Sequence, residues 1–160
     1  MGRPMSQSLA KVWIHLIFST HNRRRAFVSE ASRTAVCGYM TGIFKNLDCP
    51  VARINLAVDH VHILHLMSRT HALSEVVATV KRQTTDWIKE QEWARGNPDF
   101  HQFHWQGGFG AFSVSESVVP NVKAYIDGQL EHHQRVTFQD EFREFMQRHG
   151  VELDERYAWD

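Results

Sequence analysis

Two histidines separated by one residue, His60 and His62, stand in the run HVHILHLM at 60–67. On a strand, side chains alternate faces. Both imidazoles therefore emerge on one side, a few ångströms apart, while Val61 and Ile63 turn to the core. Two neutral imidazoles make half of a divalent-metal site; in a chain with 11 histidines they can equally be an exposed or hydrogen-bonded pair. His65 falls on the core side and reads as structural. A second constellation is Tyr125 and Gln129 in YIDGQ. Residues four apart share one helix face, about 6 Å apart along the axis. A Gln side-chain oxygen can complete a metal's coordination shell. The Tyr hydroxyl, one turn earlier, would lie near the same ion with room for a phosphate between. Alone, a Tyr and a Gln on a helix serve equally as surface and core filler.

These groups need a scaffold to bring them together, and the hydrophobic periodicity supplies its elements. Residues 11–19 alternate, with Val12, Ile14, Leu16 and Phe18 on one face, and predict a strand. After the polar THNRRR loop, Ala35, Val36, Tyr39, Met40, Ile43, Phe44 and Leu47 recur at helical spacing across 29–47. Pro50 restarts the chain as an extended segment, 51–58. With Asp59 at the turn, it pairs with 60–67 as a hairpin. A second helix is predicted from Leu73 to Glu92, short extended pieces at 103–106 and 111–115, and a third helix from Glu116 to Arg135. Ser115 is its N-cap candidate, and Pro120 sits in the first turn or so. The tail predicts a fourth helix, 138–149, opened by Thr137 with Asp140 three residues on and closed by Gly150. Its stripe of Phe138, Phe142, Phe145 and Met146 requires a surface to pack on. The order β–α–β–β–α–β–α points to an α+β fold, a ferredoxin-like sandwich with an antiparallel sheet and helices on one face, followed by the helical tail.

The chain has 160 residues, 42 % of them apolar, enough for one domain with a real core. Residues 1–8 read as a disordered leader without signal-peptide character, and no stretch approaches the roughly 18 uncharged residues of a membrane span. Cys37 and Cys49 lie outside any CxxC spacing and read as reduced thiols of a cytoplasmic protein. Secreted, membrane and disordered classes are thereby excluded. The net charge is zero, 18 Lys+Arg against 18 Asp+Glu, but residues 1–82 hold 11 basic and 4 acidic side chains and residues 83–160 hold 7 and 14. Screening limits a charge's reach to about 10 Å at ordinary salt, so a polyanion answers to the basic half alone. Arg23, Arg24 and Arg25, with Lys81 and Arg82 on the second helix, are the candidate phosphate contacts; the arginine run is also what a solvated loop looks like. Trp105 and Phe109 are stacking candidates that can instead be packed in the core or a subunit contact.

His60-Val61-His62 and the Tyr125/Gln129 helix, in this order, resemble the single-tyrosine HUH transposases of small insertion sequences. This is the IS200-like superfamily that includes the REP-associated tyrosine transposases. VWIHLIFSTHNRR, WQGGFGAFSVS (105–115) and YIDGQLEHHQ (125–134) look like the same family. The likeness covers residues 9–135, as one transposase domain with 136–160 as its helical extension. It implies cleavage and rejoining of single-stranded or hairpin DNA through a 5′-phosphotyrosine on Tyr125, with a divalent metal, Mg²⁺ or Mn²⁺, held by His60, His62 and Gln129. Two imidazoles and an amide oxygen favour Mn²⁺, Co²⁺, Ni²⁺ or Zn²⁺ on ligand preference alone. The resemblance also implies a homodimer with composite sites, the tyrosine helix coming from the other subunit. Gly107, Gly108 and Gly110 could then lie in the crossing segment, or form an ordinary tight turn. His132 and His133, just past Gln129, can support the site's ligands, contact DNA or be simply exposed, and exposure is the expectation. Two other readings stand beside this one: a domesticated DNA-binding protein of the same fold, and a metal phosphoesterase that uses water.

Overall fold

The structure, a computed structural model, describes residues 8–133 and 135–156. The leader, apart from Ser8, and the end of the tail lie outside the described residues. Strand β1 (Trp13–Ser19) runs through the middle of the sheet. It pairs antiparallel with β3 (His60–Leu66) on one side and β4 (Gly110–Val114) on the other. β2 (Val51–Leu56) lies outside β3, so the strand order is β2–β3–β1–β4. With α1 (Glu30–Asn46) and α2 (Leu73–Glu90) in their places, this is the βαββαβ plan of a ferredoxin-like α+β sandwich.

The two faces of the sheet have different work. Ile14, Leu16 and Phe18 of β1 and Val61 and Ile63 of β3 point toward α1 and α2, where Val36, Met40, Phe44, Val77 and Val80 complete the main core. His65, on this face as its parity required, lies against the Phe44 ring at 4.8 Å, and its Nδ1 faces the Leu66 carbonyl at 2.9 Å. The opposite face presents His60, His62 and Leu64 beside His15 and Ile17. It is covered by the later part of the chain. α3 (Val119–Asp127) lays Val119 and Ile126 on Leu64. α5 (Phe138–Arg148) lays Phe138, Phe142 and Met146 on Ile17 and Phe112. The tail's apolar stripe thus packs on the sheet itself. Thr137 caps α5 by accepting from the Asp140 N–H at 3.2 Å, and Gly150 ends it at φ 63°.

Two elements differ from the sequence expectation. The helix expected over 116–135 is broken: a 3-10 turn at Glu116–Val118, then α3, then the single turn α4 (Gln129–His132). The break falls at Gly128, where the low helix propensity of glycine lets the chain turn (φ −88°, ψ 5°). The piece at 103–106 is irregular, with one isolated bridge from Trp105 to Thr20. Its aromatic residues pack inward instead of pairing along a strand: Trp105 stacks on Phe27 at 5.6 Å and is core, whereas Phe109 stays exposed. Gly110 belongs to β4 opposite Ile17, and a Cβ there would lie 2.8 Å from Phe142 Cε2. Gly107 and Gly108 are exposed in the segment before β4.

Candidate functional site

Strand parity carries His60 and His62 to the face under α3–α5, where both are buried. α3 is fixed above them from two sides: Asn55 Nδ2 of β2 donates to the Ile126 carbonyl at 2.8 Å, and Trp13 Nε1 of β1 donates to Glu116 at 2.6 Å. Tyr125 is thereby held with its ring 5.7 Å from that of His62, edge to face. Gln129, fully buried, donates its Nε2 to the Tyr125 carbonyl at 3.3 Å, which leaves its Oε1 facing the site. The sequence-predicted set Tyr125, His60, His62 and Gln129 is therefore assembled within one chain.

Five further side chains complete the cluster. His133, one turn past Gln129, was expected to be exposed; the break at Gly128 and the docking of α5 instead turn it inward, its Nε2 2.7 Å from Gln129 Oε1 and 2.8 Å from His60 Nε2. Glu141 of α5 is 1 % exposed and sets its Oε1 2.7 Å from His62 Nε2. The Tyr125 hydroxyl donates to its Oε2. His15 of β1 meets His62 Nδ1 through its own Nε2 at 2.9 Å. His132, half-buried, brings its Nε2 to 3.1 Å from Glu141 Oε2. Phe138 stacks on the His60 ring at 4.5 Å and closes the cluster from the α5 side.

The hydrogen-bond inventory shows what this cluster can hold. His60 Nδ1 faces the Asp59 carboxylate at 2.7 Å and His133 Nδ1 faces the Val136 carbonyl at 3.0 Å. Both partners only accept, so both Nδ1 atoms carry protons, and the two Nε2 atoms that face each other need a positive centre between them. Gln129 Oε1 and Glu141 Oε2, 2.7 and 3.2 Å from His133 Nε2, add two more acceptors. One proton on His133 can serve one of these acceptors well; a divalent cation serves them together. Ligand atoms of His60, His62, His133 and Glu141 all lie within 4.8 Å of one another. The donor set of imidazole nitrogens, carboxylate and amide oxygen fits a divalent metal, and Asp59 behind His60 is the usual carboxylate support of a ligating histidine.

Burial sets the electrostatics. It pushes His62 down to about 4 and His15 to about 3, and lowers His60 against the opposing pull of Asp59, so these rings are neutral at pH 7. The Tyr125 phenol is raised, first by burial and then by its hydrogen bond to Glu141. Burial alone would raise Glu141 too, but the hydrogen bonds from His133, His62 and Tyr125 outweigh it and hold the carboxyl well below its usual range.

Among the candidate phosphate contacts, Arg24, Arg25 and Arg82 are exposed and Arg23 is half-buried. Arg24 also donates to the His101 carbonyl, beside the stacked pair His21 and His104 at 4.2 Å. Lys81 is turned inward: its Nζ donates to the carbonyls of Gln106 and Gly108 at 2.8 and 2.7 Å and lies 5.1 Å from the Phe18 ring centre. Burial lowers it to about 8. This ammonium fastens the segment before β4. Lys81→Met is expected to cost about 1–3 kcal/mol, the range for losing hydrogen bonds to a charged donor. Urea unfolding checks this; an unchanged midpoint would return Lys81 to the role of a free surface cation.

No helix among the described residues is long and apolar enough to cross a membrane. The sequence profile described as "Transposase IS200 like" matches residues 8–129. No curated protein sequence matches the chain. Among solved structures, one similar chain is a Deinococcus radiodurans R1 protein named as a transposase, at TM-score 0.60 and 20 % identity, with 81 % of this chain and 97 % of that one covered. Another is a REP-associated tyrosine transposase bound to a REP hairpin, at TM-score 0.58 and 14 % identity, with 85 % and 76 % covered. At these identities the two structures speak for the fold.

Proposed function

Because the chain belongs to the IS200-like transposase family, we propose that it is a DNA strand transferase that cleaves and rejoins single-stranded or hairpin DNA in the cytoplasm, with Tyr125 as nucleophile. The observation that carries this reading is Tyr125 beside the His60/His62 pair, its ring 5.7 Å from that of His62 and its hydroxyl on the same carboxylate, Glu141, that His62 Nε2 faces. When bound, a divalent ion, Mg²⁺ or Mn²⁺, would neutralise a phosphate oxygen and orient the scissile group. His60, His62 and Gln129, joined by His133, are the residues to hold it. The protein's own groups do the rest. Asp59 fixes the His60 tautomer, His15 supports His62 from behind, and Gln129 is aimed by the Tyr125 carbonyl. Attack by Tyr125 leaves a 5′-phosphotyrosine and a free 3′-hydroxyl, which retains the phosphodiester's energy for resealing without ATP. Arg23, Arg24, Arg25 and Arg82 supply cationic groups for the DNA backbone.

Two copies that exchange α3–α5 would build the same cluster from two chains, the composite homodimer that the resemblance implies. Labelled oligonucleotides from the chain's own genomic flanks, incubated with Mn²⁺ and run on a denaturing gel, test the whole reading. A protein-linked band is expected, and free 5′-phosphate or 3′-phosphate ends without that band would point to water as nucleophile. Mixing Tyr125→Phe with His62→Ala protein then separates the two assemblies. Recovery of the linked band requires exchange between subunits, and a silent mixture means that each chain closes its own site.

A further inference from the structure

Glu141 lies beyond residues 8–129, over which the family profile matches, yet it is 1 % exposed at the centre of the cluster. Burying a carboxylate is costly unless it is paired. Its described partners are His60, His62, His132, His133 and Tyr125, all members of the site. α5 is built to deliver it. Phe138 stacks on His60, Phe145 meets the Tyr125 ring at 5.6 Å, and Phe142 fills the space that Gly110 leaves open. The His62 ring beside the phenol is already engaged, its Nδ1 by His15 and its Nε2 facing Glu141, and the Tyr125 hydroxyl itself donates to Glu141 Oε2. Resting on the strand-transferase reading above, we infer that Glu141 is a catalytic residue contributed by the C-terminal helix, one that aims the Tyr125 hydroxyl and takes its proton as the phenol attacks phosphorus. Atoms balance as follows. A Tyr125 Oη–P bond forms while the phenolic proton passes to Glu141 Oε2. The P–O3′ bond breaks with its electron pair on the 3′ oxygen, which takes a proton from water. Rejoining runs the same path backwards, with the proton returned to Tyr125.

The test uses the full chain with Mn²⁺ and a labelled single-stranded oligonucleotide. Glu141→Gln keeps the shape and an accepting oxygen but loses the basic carboxylate. Its adduct formation is expected to slow by about 100-fold or more, the usual scale for a general base, with oligonucleotide binding close to wild type and the cooperative thermal transition retained. Glu141→Asp, a carboxylate on a shorter arm, is expected to recover part of the rate. A second readout needs neither DNA nor metal: in protein labelled with ¹³C at tyrosine Cζ, the resonance that Tyr125→Phe removes should shift in Glu141→Gln. Adducts formed by Glu141→Gln at the wild-type rate or faster would overturn the inference, a faster rate marking Glu141 as an occupant of the phosphate's place. An unmoved Tyr125 resonance would overturn it as well. If wild-type protein forms no adduct on any oligonucleotide, the strand-transferase reading fails, and the labelled resonance still decides whether Glu141 holds the phenol.

Discussion

Tyr125→Phe protein is expected to form no covalent adduct with single-stranded DNA, while its affinity for the same oligonucleotide stays within about twofold of wild type. The substitution deletes one oxygen and leaves the ring in place against His62 and Phe145. Among the described residues the other phenol is not placed to rescue the reaction: Tyr39 is stacked on Trp87 at 4.5 Å, on the α1–α2 side of the sheet. Nucleophilic catalysis therefore has no second route among the described tyrosines. Binding is expected to survive because the exposed arginines proposed as contacts to the DNA backbone lie outside the cluster. Removing the hydroxyl also takes one donor from the buried Glu141, which costs about 1–3 kcal/mol of stability. Denaturing gels with end-labelled oligonucleotides, paired with fluorescence anisotropy, read both halves of this expectation. Adducts that persist undiminished would remove Tyr125 from the role of nucleophile.

His60→Ala is expected to weaken Mn²⁺ binding by at least about 100-fold and to abolish adducts, and a chelator should do the latter to wild-type protein. His60 stands between Asp59 on its Nδ1 side and His133 on its Nε2 side, at 2.7 and 2.8 Å. Loss of a supporting residue behind a ligand already costs about 10–100-fold in metal affinity, so loss of the ligand costs more. Asp59→Asn, which removes only the support, should fall within that smaller range. Isothermal titration with Mn²⁺ on DNA-free protein measures both. Equal affinities for wild type and His60→Ala would show that the lone pairs gathered here serve a proton and no metal.

The parts of the site that follow local periodicity were legible in the chain. A period of two put His60 and His62 on one face and His65 on the other, and the structure keeps that division. Helical spacing likewise joined Tyr125 to Gln129, even though the helix breaks between them. What escaped notice depends on contacts between distant segments. His15 shares the sheet face of His62 across 47 residues, and its own alternation (Trp13, His15, Ile17) carried the signal. His133 continues the face of Tyr125 and Gln129, but only the turn at Gly128 and the covering α5 bury it. Glu141 was hidden by its company in an acidic tail. Its position three residues after Phe138 and one before Phe142 places it within the apolar stripe, and an acid in such a stripe is the pattern that could have found it.

The close approach of Phe142 to Gly110 ties the two ends of the domain into a single inheritance. A relative without this tail would lose the nearer obstacle to alanine or serine at position 110 and keep the Phe112 ring, 3.2 Å from such a Cβ. Here even one methyl group would collide with the aromatic ring at 2.8 Å. A lineage that keeps the tail can place a larger residue at that spot only by moving the ring of Phe142, the neighbour of Glu141 on the same helix.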